Sequence, residues 1–257
     1  MAGSPRRFQA VLTRNVAPGV HRLAHAGVSC YLLEEGRAIT VVDAALPATW
    51  PHLREALAVL GRGPSDVVAL VLTHAHFDHL GFARRMHEEW GVPVHAHPEE
   101  RTIAAHPYRY AHENPRLRYP VRHPRGVPIL AAMARAGAFA VPGVEELVPY
   151  AAGDRLDVPG RPEVVFTPGH TFGHSALLLE DRGVLLCGDA LVTLDPYTGA
   201  TGPRIVAGAA TADSDEALRS LTAIADTDAD LLLPGHGEPW RTGAAAAVAH
   251  ARSAGRS

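Results

Sequence analysis

Residues 71–81 read VLTHAHFDHLG and place His74, His76, Asp78 and His79 within six positions, directly behind an apolar run. Three later stretches share that design: VVFTPGHT carries His170, VLLCGDAL carries Asp189, and LLLPGHGE carries His236. Each reads as an apolar strand running into a tight Gly/Pro turn that bears a ligand-type side chain. Strand ends are stiff and lie close together along one sheet edge, so four of them can bring side chains to one point. A metal site requires that rigidity, because its ligands must be held within about 0.2 Å of the ideal distance. His74 and His76 can point the same way, with Asp78 and His79 a step further on. One pair can therefore serve one metal ion and the other pair a second, and an aspartate between two such ions can bridge them. Imidazole and carboxylate ligands suit Zn, Fe or Mn.

Delivering such turns calls for a layered α/β chain. SCYLLEE, AITVVDA and VVALVLT are aliphatic, β-branched runs bounded by Gly, Pro or Asp, which predicts strands. Between the last two, TWPHLREALAVLGRG has helical apolar spacing and ends at glycine. GFARRMHEEWG predicts a short helix right after the histidine cluster, and the strand VPVHAHP follows. From about residue 147 the strand pattern returns in ELVPYAAGDRLDV, EVVFTPGH and SALLLEDRGVLLCGDALV. SDEALRSLTAIADT then predicts a helix and ADLLLPGHG a strand. Two halves, each strand-rich and then helical, suggest two stacked sheets with helices outside.

Residues 98–145 break the pattern. PEERTIAAHPYRYAHENPRLRYPVRHPRG is rich in Pro, Arg, Tyr and His, and VPILAAMARAGAFA reads as a helix. A long insertion between sheet elements is either a lid or a disordered loop. The aromatics and the helix favour an ordered, mainly helical lid over the site. The chain as a whole reads as a single domain, 1–257, with this lid insertion at about 98–145.

Composition excludes several classes. The 257 residues are 47% hydrophobic and 20% charged with a net charge of -3, which lacks the basic surplus of a nucleic-acid partner. All 24 basic residues are arginine, so no lysine is present to form a Schiff base. No apolar segment reaches the ~18 residues of a membrane span. The N-terminal MAGSPRRFQAVLTRN carries no leader-like apolar run. The expectation is a cytoplasmic protein with a small-molecule substrate and no nucleic-acid or membrane partner; a homodimer is compatible with it. Cys30 and Cys187 lie in apolar strand-like runs and read as reduced core residues.

The remaining histidines lack the strand-end context. Nine of them, His123 among them, read as surface or core residues. His97 in VHAHPEE imitates the first motif without the following Asp-His, and His174, beyond His170, reads as a supporting residue. Gly173 is expected to let the chain pack close to the metal loop.

Taken in order, THAHFDHLG, TPGHTFGH, GDAL and PGHG resemble the metallo-β-lactamase superfamily over residues from about 28 to 240, and within it the glyoxalase II-like branch. That resemblance implies a four-layer αββα sandwich with the site at the shared edge of its two sheets. It also implies that His74, His76 and His170 bind a first metal, that Asp78, His79 and His236 bind a second, and that Asp189 bridges both. Asp43 in VVDAAL matches the family's strand-end aspartate that supports the metal loop. The implied cofactors are two Zn2+, with Fe or Mn as other occupants.

The implied enzyme is a dinuclear metallohydrolase in which a metal-bridging hydroxide attacks a small thioester, lactone or ester carbonyl. Asp78 would orient that nucleophile and take its proton. Tyr197, Tyr108 and Tyr110 are candidate substrate contacts. The lid residues Arg109, Arg116, Arg118 and Tyr119 could meet an acidic or aromatic substrate, or be solvated surface. Departures from the subfamilies narrow the choice. Asp189 stands where true metallo-β-lactamases usually carry Cys or Ser, and His76 stands where flavodiiron proteins carry Glu. The tail WRTGAAAAVAHARSAGRS is short for the glutathione-binding domain of glyoxalase II. The alternatives are a mononuclear iron oxygenase of the persulfide dioxygenase kind, a metallo-β-lactamase-like amide hydrolase, or a metal-stabilised binding protein.

Overall fold

A computed structural model describes residues 8–256. The stretch read above for a leader begins with residues 1–7, which lie outside the described residues.

Seven strands form the first sheet in sequential order: β1 (Val11–Ala17), β2 (Val20–His25), β3 (Val28–Glu35), β4 (Ala38–Val42), β5 (Val67–Val71), β6 (Val94–Ala96) and β7 (Val148–Pro149). The first four pair antiparallel, and the pairs from β4 to β7 are parallel. The second sheet contains β8 (Glu163–Phe166), β9 (Ser175–Leu179), β10 (Val184–Gly188) and β13 (Leu231–Pro234), in the order β13-β10-β9-β8. A small ribbon of β11 (Val192–Leu194) and β12 (Thr201–Arg204) stands beside it.

Strand alternation divides the core into layers. In β3, Tyr31 and Leu33 face the second sheet, where they meet Leu177, Leu179 and Leu186; Cys30 and Leu32 face the other way. That outer face is covered by helices α1 (Trp50–Val59), α3 (Ala83–Trp90) and α6 (Val127–Arg135) through Leu53, Leu57, Met86, Ile129 and Met133. A one-turn helix, α2 (Phe77–Leu80), precedes α3, and α4 (Arg101–Ala105) and α5 (Tyr119–Arg122) precede α6. On the far face of the second sheet, Leu185 and Cys187 pack under α7 (Ser214–Ala225) and α8 (Ala244–Ala254), against Leu221, Ile224, Ala247 and Val248. The result is helix, sheet, sheet, helix: the four-layer αββα sandwich. Both cysteines are buried and free, and burial pushes their thiols well up. They are core residues.

Two readings of the chain change. ELVPYAAGDRLDV yields only the two-residue edge strand β7, whose one partner, β6, is itself three residues long. The 98–145 insertion divides into two parts. Its helix α6 is not part of a roof, since Ile129, Ala132 and Met133 are buried in the first-sheet core. The stretch that covers the site is the irregular one around Tyr110–Tyr119. It is pinned to the second half of the chain by Asn114 N–H to Gly208 O at 2.8 Å and Arg116 Nε–H to Ala209 O at 3.2 Å.

Candidate metal centre

The strand ends meet because of register. Val42 pairs with Val71, so Asp43 and the Thr73–His74 turn leave the first sheet side by side, with Asp43 N–H on Val71 O at 3.0 Å. Gly188 pairs with Pro234, so Asp189 and His236 leave the second sheet together. The sheets are then tied edge to edge: Ser175 N–H bonds Thr73 O at 2.9 Å, and Ser29 N–H bonds Gly235 O at 2.8 Å.

Three overlapping groups result, each with its ligand-type atoms within 4.8 Å of one another: His74, His76 and His170; His74, His79 and Asp189; Asp78, His79 and His236. All seven residues are buried. Asp189 lies between the groups. Its Oδ1 is 3.4 Å from His79 Nε2, and its Oδ2 lies 3.5 Å from His170 Nε2 and 3.2 Å from His236 Nε2. Asp78 Oδ2 is 3.2 Å from His236 Nε2. Yet the Nε2 atoms of His74, His76, His79, His170 and His236, together with Asp189 Oδ1, are buried without any hydrogen bond. Unpaired buried polar atoms carry a large desolvation penalty, and groups of this kind at one point call for a cation. The donor set fits one or two divalent ions.

The opposite ring nitrogens are anchored, and this fixes each tautomer. His79 Nδ1–H donates to Asp43 Oδ2 at 2.9 Å. The Thr73 hydroxyl also donates to Asp43 Oδ2, so at 3.1 Å it must accept from His74 Nδ1–H. The Thr211 hydroxyl donates to Val206 O and accepts from His170 Nδ1–H at 3.3 Å. His236 Nδ1–H donates to Gly27 O at 2.8 Å. Each of these four rings therefore aims its Nε2 inward.

Electrostatics divides the histidines into two kinds. Burial and neighbouring imidazoles hold His74 and His76 well below the ordinary histidine pKa, and burial takes His170 down to about 4. Burial also opposes charge on His79 and His236, but the carboxylates outweigh it. Asp189 and Asp43 raise His79 well above the usual range, and Asp189 with Asp78 brings His236 up to about 10. Asp189 is held well below the carboxylate range, since His236 and His79 overcome its own burial.

Support comes from residues behind the centre. His174 accepts from Asp189 N–H at 3.0 Å and from Ala190 N–H at 3.1 Å on Nε2, while its Nδ1–H reaches Thr167 Oγ1 at 2.8 Å. With both nitrogens engaged it has no lone pair for a metal. Glu100, fully buried, accepts from Ala75 N–H at 2.8 Å and Gly173 N–H at 2.9 Å, tying two ligand turns together. A Cβ at Gly173 would come within 2.7 Å of that carboxylate. Within PEE, Glu100 has no sequence signal that separates it from a solvated acid. His97 lies outside the cluster and stacks on Phe166.

Of the candidate tyrosines, two face the centre. The Tyr110 ring centre lies 3.9 Å from that of His76, and the Arg116 guanidinium stands 4.3 Å from the Tyr110 ring centre. The hydroxyls of Tyr197 and Tyr110 are hydrogen-bonded to each other. Burial pushes Tyr110 up to about 12, and burial with Tyr110 and Asp78 raises Tyr197 well above its ordinary value, so both are neutral donors at pH 7. Tyr108 is not brought to the centre. Its hydroxyl is used on backbone, donating to Ala138 O at 3.1 Å and accepting from Val141 N–H at 2.8 Å. A cavity of about 1070 Å³ lies along α1, α6 and β2 and holds none of the seven residues. Volume does not locate the chemistry here.

Residues 25–236 match the metallo-beta-lactamase superfamily, a span that takes in every one of the seven residues. The chain belongs to that superfamily. It is 29% identical over 242 residues to the probable metallo-hydrolase YflN of Bacillus subtilis (strain 168), covering 87% of this chain and 85% of that one. It also resembles a hydroxyacylglutathione hydrolase of Synechococcus sp. (strain JA-2-3B'a(2-13)), 32% identical over 164 residues, covering 63% of this chain and 48% of the relative. Among solved structures, the metallo-beta-lactamase family protein TTHA1429 from Thermus thermophilus superposes with a TM-score of 0.64 at 28% identity, over 93% of this chain and 79% of that one. Among the described residues of this superfamily member, no helix is long and apolar enough to cross a membrane.

Proposed function

We propose that this chain is a metal-dependent hydrolase, dinuclear and probed first with zinc, that cleaves a small thioester, lactone or ester. The observation that carries the reading is the set of unpaired, buried imidazole Nε2 atoms gathered around Asp189. His74, His76 and His170 would hold one ion, Asp78, His79 and His236 the other, and Asp189 would span both. Two ions held there supply Lewis acidity toward a carbonyl oxygen and make water acidic enough to ionise near pH 7.

The chain's own residues do the rest. Asp78 lies on the short helix α2 with Oδ2 beside His236, where a carboxylate can orient a water and accept its proton. Tyr110 and Tyr197 stay protonated at neutral pH, and since the bond between them uses only one of their two hydroxyl protons, the other can be donated to an oxygen of the substrate. The roof around Tyr110 keeps bulk water off the centre, which strengthens every electrostatic contact inside. Similarity to YflN and to the hydroxyacylglutathione hydrolase supports hydrolysis as the reaction type.

Asp189→Ala tests the proposal. The expected result is loss of at least one zinc per chain by elemental analysis, with hydrolysis of a thioester, lactone, ester and β-lactam panel reduced at least about a hundredfold. Full zinc and full activity in that variant would sink it.

A further inference from the structure

Around a cavity of about 150 Å³ on the roof stand Asn114, Arg118, Tyr119, Arg122 and His123. None of these walls is a carboxylate. Arg118 ends a 3-10 turn and Arg122 ends α5, four residues on, a spacing at which like charges repel. Among the described residues neither guanidinium is paired. Glu113, the nearest acid in sequence, is committed elsewhere: its two oxygens accept from Ser214 N–H at 2.8 Å and from the Ser214 hydroxyl at 2.6 Å.

The floor of the cavity is fixed. His123 stacks on Tyr119 at 5.5 Å between ring centres, and its N–H bonds Tyr119 O at 2.7 Å. The Asn114 amide donates to the Tyr119 hydroxyl at 3.3 Å. Two unpaired guanidiniums with an imidazole and an amide suit an anion. Phosphate suits them best, because guanidinium forks match its oxygens in pairs.

The same floor reaches the metal centre. Tyr119 meets Tyr197 edge to face at 5.8 Å, Tyr197 bonds Tyr110, and Tyr110 lies on His76. An anion in the cavity is thus separated from the centre by three aromatic side chains. It belongs to a part of the substrate remote from the reacting carbonyl, where binding energy can position the bond to be cleaved.

We propose that this cavity seats a phosphate group of the substrate, so that the thioester or ester cleaved here carries phosphate on the half that leaves. This rests on the hydrolase reading of the metal centre. Such a phosphate can belong to a free coenzyme or to the same arm tethered on a carrier protein, and the shared chemistry is the phosphate.

The test has two parts, both on the full-length, zinc-loaded chain, comparing wild type with Arg118→Gln/Arg122→Gln and with Arg118→Lys/Arg122→Lys. Inorganic phosphate is titrated by calorimetry, with circular dichroism and melting curves confirming that each variant folds. The glutamine pair should weaken phosphate binding at least about tenfold, with the lysine pair intermediate. Binding that survives unchanged in the glutamine pair places the phosphate at the metals and overturns the proposal.

In the second part, acetyl-coenzyme A and a carrier-tethered phosphopantetheine thioester are each compared with acetyl-N-acetylcysteamine, which lacks phosphate. A preference in kcat/KM of about tenfold for either phosphate-bearing form, collapsing toward one in the glutamine pair, supports the site and names its source. An undiminished preference in that variant overturns it. If no thioester is cleaved, the thioester reading fails by itself, and the phosphate titration decides the cavity.

Discussion

His79 gives its Nδ1 proton to Asp43 across 2.9 Å, and Asp43 holds a left-handed backbone, φ +61°, to receive it. A non-glycine residue rarely adopts that conformation, and here the surroundings enforce it. Asp43 Oδ1 accepts from Thr73 N–H at 2.7 Å, and Oδ2 takes the Thr73 hydroxyl at 2.9 Å as well as His79. One carboxylate therefore orients both halves of the histidine motif.

Asp43→Asn separates charge from strain, because asparagine tolerates positive φ. Its amide nitrogen cannot accept, so one of the Thr73 and His79 contacts is lost. Zinc affinity, measured against a chromophoric chelator, is expected to fall by about 10- to 100-fold while the fold persists. An unchanged affinity would show that the anchoring of His79 is irrelevant to the metal.

His174 makes the complementary case, a histidine inside the cluster that holds no ion. In His174→Ala the N–H groups of Asp189 and Ala190 lose their acceptor. Each buried orphan donor costs about 1–3 kcal/mol, so the melting temperature should drop by several degrees. Zinc stoichiometry under excess zinc should nevertheless stay at the wild-type value, in contrast to Asp189→Ala. A lost ion would make His174 a ligand.

The contrast between those two residues shows what the sequence could reveal. His170, Asp189 and His236 each follow an apolar strand and sit in a Gly/Pro turn, and the HAHFDH run follows β5, a local signal that survives without knowledge of neighbours. His174 could be read as supporting because it lies inside the turn, not at the end of a strand. Glu100 and Thr211 could not be read at all, since their role depends on which distant backbone groups lack partners. The strands β3 to β6 and those of the second sheet were legible from aliphatic and β-branched runs, whereas β1 and β2, with arginine, asparagine and histidine among their residues, and the alanine-rich α8 carry little pattern of their own. Residues 98–145 misled for a related reason. The same apolar helix, α6, can roof a site or fill a core, and only Ile129 and Met133 packing against the first sheet decides between them.

Gly235 offers a steric test of the centre. A Cβ there would lie 2.3 Å from Asp189 Oδ1 and 2.5 Å from His79 Cε1. Gly235→Ala must therefore push apart two ligands without removing either. Elemental analysis should find less than the wild-type zinc content, with hydrolysis lost in parallel. Gly63→Ala, where nothing lies within 4 Å, serves as the control and should behave as wild type. Normal zinc in Gly235→Ala would mean that the ligands are not where the metal needs them.

The two halves of the centre should differ in how their metal affinity responds to pH. A metal ion requires a free lone pair on each imidazole, so any proton on Nε2 must leave. His74, His76 and His170 are pushed down, the last to about 4, and are already neutral at pH 7. An ion on those three displaces no protons there, and its affinity should be nearly flat from pH 6 to 8. His79 is raised well above its ordinary value and His236 to about 10, so both carry protons at pH 7 before metal arrives. An ion on Asp78, His79 and His236 must expel them. Its affinity should rise with pH, by up to about two logarithmic units per pH unit, and fall steeply on acidification. Calorimetric zinc titrations in buffers of different ionisation enthalpy measure protons released per ion. The expected record is two binding events, the first releasing almost none and the second approaching two; equal release from both would contradict the division of the histidines into a neutral set and a charged one.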